Sequence, residues 1–230
     1  SLPIGEKFSM ANYQLAFELL DIFGAYRNSL IISLSVAVVV ILLAGMASYA
    51  LVRYTFRGRS LLNSLVIAGM MFPVFATIIP VFQMMSKWGI VNTPDIWKSL
   101  LATALPQIAG NMSFAVVVLS GYINGLPVEL EEAAYMEGCN AFQIFSKVVM
   151  PLSKPSFATV GIFSFLWSYN DLFTQSFMLR GNQYGITRLL NELTSREGTN
   201  YGLMAAAVTL VVIPILIVYI FLQRSEERRV

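Results

Sequence analysis

The 230-residue chain has no histidine, a single cysteine and few charges, with Asp, Glu, Lys and Arg making up only 12% of it. Soluble domains carry about 25% charged residues. A chain this poor in charge cannot cover a water-facing globule of its own size. Without histidine there is no His-based triad, imidazole metal site or histidine proton relay. Cys139 has no second cysteine to pair with, so the redox compartment is unreadable. A net charge of +2 gives no argument for nucleic acid. The sequence also lacks a Gly-x-x-x-x-Gly-Lys-Ser/Thr phosphate loop. Paired intramembrane carboxylates, a Ser/His pair and a metal cluster are missing too, which removes the usual intramembrane enzyme classes.

What is present is apolar: 57% of the residues, with a mean hydropathy of +0.68. Uncharged runs cover 28–52, 60–86, 99–128 and 198–223. About 20 predominantly apolar residues cross a hydrocarbon core as a helix, and lipid leaves backbone groups no partners outside the segment. The pattern therefore predicts an all-α, polytopic transmembrane helical bundle with spans at about 30–52, 61–85, 100–123, 157–179 and 203–222. The runs are too long, and lack the alternation, for a transmembrane barrel. Pro73, Pro80, Pro106 and Pro214 fall inside three of these spans, as hinges or as ordinary membrane-helix prolines. Gly45, Ala47, Ser48 and Ala50 have the spacing of a close helix–helix contact.

Arg53, Arg57 and Arg59 in the first connection, and Arg224, Arg228 and Arg229 in the tail, lie on one side of a five-span chain. The positive-inside rule places that side, the 124–154 connection and the C-terminus in the cytoplasm. Whole-loop counts are balanced, at eight basic residues inside and seven outside; density near the span ends decides. Residues 1–27, 86–99 and 180–202 are then external.

The 124–154 connection is the most informative segment. Pro127 suits a first helical position, and Glu129, Glu131 and Glu132 follow where the helix dipole favours anions. Gly138 fits a left-handed C-terminal cap, Asn140 caps a second helix, and Pro151 ends it. Phe142, Phe145, Val148 and Val149 form that helix's apolar face. A helical hairpin with one acidic and one apolar side is expected. Lying on lipid is an alternative, but acidic character argues against an anionic surface and favours a protein partner. A channel needs no such docking element.

These residues carry a resemblance. Glu132-Ala133-Ala134, three residues, Gly138, nine residues, then Val148-x-Met150-Pro151 resembles the EAA loop of binding-protein-dependent ABC importer permeases. Asn28-Ser29-Leu30, Tyr49-Ala50-Leu51, Phe56-Arg57-Gly58-Arg59, Met71-Phe72-Pro73, Ile79-Pro80 and Asn170-Asp171 are similar to the carbohydrate-uptake branch, in particular its smaller maltose-type subunits. Glu137 stands where Asp is frequent, Cys139 where Ala is usual, and Tyr169 where tryptophan is usual. Energy-coupling-factor scaffolds are a rival within transport, but their Ala-Arg-Gly signatures are missing.

The resemblance implies a type I importer permease fold, one transmembrane domain over 1–230. Subunits of this type have six spans, so a first span is expected ahead of the stretch Phe8-Ser9-Met10-Ala11-Asn12-Tyr13. It implies a bacterial or archaeal cytoplasmic membrane and a non-enzymatic transport subunit. The implied partners are a second permease subunit in a heterodimer, two ATPase subunits holding ATP and Mg, and an extracytoplasmic solute-binding protein. The implied cargo is a sugar or oligosaccharide, or a solute such as a glycerol phosphate ester. Glu132, Ala133, Ala134, Glu137, Gly138 and Pro151 would couple to the ATPase. Asp171 is the only ionisable residue inside an expected span, a functional candidate by default. With Asn170, Tyr169, Asn111 and Gln107 it offers hydrogen bonds either to sugar hydroxyls or to neighbouring helices. Phe163, Phe165 and Trp167 either stack on sugar faces or pack. The external loop, with a short helix near 187–193, either reaches the solute-binding protein or only connects.

Overall fold

The computed structural model describes residues 10–19, 21–180, 183–196 and 201–227. They are helical, with no strand among the described residues. Phe8, Ser9, Arg228 and Arg229, used above, lie outside them.

A short helix α1 (Ala11–Leu19) precedes α2 (Ile22–Arg53). At 1.5 Å per residue α2 is about 48 Å long, and it starts eight residues before the expected span. Asp21 is the reason: its Oδ1 accepts from the Gly24 N–H at 2.9 Å and caps the helix. α5 (Ile96–Asn124) is capped in the same way by Asp95 and continues through Pro106. These two helices are each long and apolar enough to cross a bilayer.

The second expected span is not one helix. α3 (Arg59–Gly69) and α4 (Val74–Lys87) are separated at 70–73, with Pro73 extended at the start of α4. A proline disfavours helix in the residue before it. Pro80 and Pro106 sit inside helices without ending them. The fourth span is also broken: α9 (Lys154–Tyr169) stops at Asn170, and Asp171 caps α10 (Leu172–Met178). α11 (Ile186–Arg196) and α12 (Tyr201–Glu227) complete the chain.

Between α5 and α9 stands the expected hairpin, α6 (Glu129–Met136) and an arm made of α7 (Ala141–Ile144), a π-helical turn Phe145–Val149 and α8 (Met150–Leu152). The arm bends by 82° into α9. Two details differ from expectation. Pro127 precedes α6, whose N-cap is Val128. Pro151 lies within the arm, which ends one residue later. An interior proline lacks an N–H and crowds the carbonyl four residues back. The wide turn preceding Pro151 relieves that crowding, with the Met150 N–H reaching back to Phe145.

α2 is the central helix. Ser48 Oγ donates to the Val116 carbonyl of α5 at 3.1 Å. At Gly45 a Cβ would come 2.6 Å from Phe157 of α9, so the small-residue stripe is a packing contact. One apolar cluster joins α2, α5, α9 and the hairpin. A second joins α1, α11 and α12 to α2 and α9 at the other end, and a third joins α4, α5 and α10.

Candidate functional site

Two regions stand out. The first is the hairpin. α6 ends in a full Schellman turn: the Gly138 N–H donates to Tyr135 O at 2.9 Å, and the Cys139 N–H to Ala134 O at 3.1 Å. Gly138 has φ +86°, as the sequence predicted. Asn140 and Gln143 then form a reciprocal capping box that starts the second arm. The tip between the arms is therefore fixed by local hydrogen bonds.

The three acidic residues of α6 part ways. Glu129 and Glu132 are exposed, while Glu131 is only 8% exposed and accepts from Arg53 Nε at 2.7 Å. Ala133, Glu137, Gly138 and Pro151 are exposed with Glu132, but Ala134 is buried against the second arm. Ala134 thus allows the two arms to approach each other, and Ala133 alone presents a small surface outward. Of the expected apolar face, Phe145 and Val149 are buried and Val148 is half-buried, while Phe142 is 67% exposed. Tyr135 and Met136 are exposed too, so an apolar rim borders Glu132 and Glu137.

The second region forms where the two helix breaks meet. A cleft of about 470 Å³ is lined in part by Met70, Phe72, Pro106, Phe114 and Trp167. Trp167 also borders a second cleft of about 680 Å³, lined in part by Pro73, Phe75, Phe163, Asn170 and Asp171. The Phe75 ring meets Phe173 edge-on at 4.5 Å and holds α4 to α10 across the break.

Asp171 is clamped in place. Its Oδ1 accepts from the Thr174 N–H at 3.0 Å, and its Oδ2 accepts from Gln107 Nε2 at 2.7 Å. The same Gln107 amide accepts from Ser168 Oγ. Gln107 therefore ties α5 to both sides of the α9–α10 break. Asn170 is exposed and bonds back to Leu166 O at 2.8 Å.

The other candidates lie elsewhere. Asn111 is buried and donates to Gln107 O within α5. Tyr169 is 1% exposed and stacks on Phe165 inside the α1–α11–α12 cluster, so neither ring faces the clefts. Of the aromatics weighed from the sequence, Phe163 and Trp167 line the cleft and Phe165 packs.

The segment 183–196 packs against the N-terminal part of α2 and the end of α10. The Ile186 N–H donates to Ser29 Oγ at 2.8 Å, and Asn28 Nδ2 donates to Tyr184 O at 3.1 Å. Arg188 donates to the Leu179 carbonyl at 2.7 Å and to Gln175 and Ser176 carbonyls, satisfying the end of α10. The sequence had flagged none of these as partners. Arg53 and Gln107 act across 61 to 78 residues of chain, which no local pattern records.

The sequence of residues 37–230 matches the family described as binding-protein-dependent transport system inner membrane component. A diacetylchitobiose uptake system permease protein of Streptomyces coelicolor is 32% identical over 228 residues, 97% of this chain and 72% of that one. An alpha-glucoside transport system permease protein of Rhizobium meliloti is 33% identical over 225 residues, and the chain spans 59% of its length. An arabinooligosaccharides transport system permease protein of Halalkalibacterium halodurans is 35% identical over 200 residues, 86% of this chain and 69% of that one. Among solved structures, a bacterial ABC transporter involved in import of the acidic polysaccharide alginate has the same fold. Its TM-score is 0.77 at 21% identity, over 95% of this chain and 80% of that one. These relatives are permease subunits of transport systems, not enzymes, and this chain is of that kind: it belongs to the family of binding-protein-dependent transport system inner membrane components.

Proposed function

We propose that the chain forms half of the translocation pathway of an ATP-driven importer for an oligosaccharide. Its pathway wall is the aromatic cleft at the two helix breaks, with Asn170 and Asp171 at its polar edge. Phe163 and Trp167 offer ring faces to apolar sugar faces, and the Asp171 carboxylate and Asn170 amide accept or donate to hydroxyls. Relatives named for diacetylchitobiose, alpha-glucosides and arabinooligosaccharides support that cargo class. The bilayer covers the apolar exterior, and a second, different permease subunit closes the pathway.

The observation that carries the reading is the hairpin. Its fixed tip and exposed Glu132, Ala133, Glu137 and Gly138 make a protruding, small-residue, acidic surface rimmed by Tyr135, Met136 and Phe142. A carboxylate on such a surface makes charge-assisted contacts without steric obstruction. We assign it to one of two cytoplasmic ATPase subunits, which hold the ATP and Mg; the C-terminus is cytoplasmic with it. Ala134 acts behind this surface, spacing the arms, and Pro151, itself exposed, shapes the second one. The outer segment 183–196 faces an extracytoplasmic solute-binding protein.

Purification of the tagged chain from its native membrane in mild detergent tests this. An ATPase and a second permease should copurify in stoichiometric amounts. A complex containing only this chain would instead favour a channel.

A further inference from the structure

We propose that Arg53 and Glu131 form the coupling clasp of this permease: a positioning pair that passes movement of the hairpin to α2 and α5. This rests on the hairpin being the ATPase-docking element.

Three helix ends converge on this ion pair. Arg53 lies in the last turn of α2, and its Nη2 donates to the Ile123 and Leu126 carbonyls at 2.9 and 3.0 Å, where α5 ends. Its Nε donates to Glu131 in the first turn of α6 at 2.7 Å. A cation thus sits at two helix C-termini and an anion at one N-terminus, the arrangement that all three dipoles favour. Both side chains are largely buried, 12% and 10% exposed. Nη2 holds α5 and Nε holds α6, so one planar guanidinium ties both to α2; lysine, with a single point charge, cannot match this geometry.

One turn earlier on α2, Tyr49 meets Phe145 of the second arm at 5.5 Å between ring centroids. Phe145 in turn meets Phe157 of α9 at 6.4 Å. Both arms are therefore fastened to α2, the first by charge and the second by aromatic packing. A groove of about 450 Å³ opens beside the pair, lined in part by Arg53, Glu131, Glu132, Tyr135 and Met136. The clasp is thus adjacent to the surface that a docked subunit would press on.

The test uses the complex purified from native membranes in lipid nanodiscs, in a Cys139→Ala background with Asn170→Cys as reporter in the cleft. The rate of maleimide labelling is read with and without Mg-ATP, together with ATP hydrolysis. With Arg53 and Glu131 intact, Mg-ATP should change the labelling rate about tenfold, within the usual range of site-to-site coupling. In Arg53→Met the change should fall below about twofold while hydrolysis and assembly persist, with Arg53→Lys in between. The double variant Arg53→Met/Glu131→Met should be no worse than the single one, because the two act as a unit. A full ATP response in assembled Arg53→Met overturns the clasp. So does loss of assembly in Arg53→Met and Arg53→Lys alike, which makes the pair purely structural. If the complex with the native pair shows no ATP response, or Glu132→Lys leaves hydrolysis and labelling normally coupled, the docking reading beneath it fails instead.

Discussion

Adjacent residues have unlike roles here, and helical phase decides which. Glu131 and Glu132 are neighbours separated by about 100° around α6; one is paired with Arg53 and the other faces outward. Tyr169 and Asn170 part in the same way, one into the core and one onto the cleft edge. Asp171 has two bonds to lose. Asp171→Ala removes the α10 cap and the partner of Gln107, and should lower stability by about 1 kcal/mol from the cap alone. Thermal unfolding in detergent reads that loss, and Gln107→Ala should lower stability in the same direction. Gly45 has no such latitude. A leucine there would drive into the Phe157 ring, so Gly45→Leu should depress the unfolding temperature and the yield of assembled complex more than Gly45→Ala does. None of these phase relations could be read reliably from sequence, because the deciding partner is distant: Arg53 is 78 residues from Glu131, and Gln107 is 64 from Asp171.

At the level of elements, the hairpin was the most legible part. Acidic first turn, Gly138, Asn140 and the following apolar positions are local signals, and the caps they imply are present. The spans were legible as apolar runs but not as helices. Hydropathy reports the solvent a segment prefers and says nothing about whether its backbone is continuous, so the break at 170–171 left no mark in the apolar pattern. That at 70–73 was signalled only by Pro73, one of four prolines that fit either a hinge or an ordinary membrane helix. Of the prolines, Pro73 marks a break whereas Pro80 and Pro106 do not. Asn170-Asp171 reads as side-chain chemistry in the sequence and proves to be a cap as well. The left-handed turn gives a sharp test. Gly138→Val places a β-branched residue at φ +86°, a strain of about 1–2 kcal/mol. It should tilt the two arms, reducing ATP-driven uptake while the membrane subunits stay associated in detergent. Gly138→Asn, which tolerates this conformation better, should retain more uptake.

For the molecule as a whole, the low charge content foretold the solvent, and the run of acids at Glu129–Glu132 marks the surface proposed to dock a partner. α2 is fastened to the hairpin at one end and to the 183–188 segment at the other through Asn28 and Ser29. Movement at the hairpin therefore has a continuous path along α2 to that segment. The central claim is that the exposed face of the hairpin docks an ATPase. The most direct measurement is ATP hydrolysis by the intact complex carrying Glu132→Lys, with and without saturating loaded solute-binding protein. Stimulation should fall by about tenfold or more, with both permease subunits still copurifying. Normal stimulation in that variant would contradict the account.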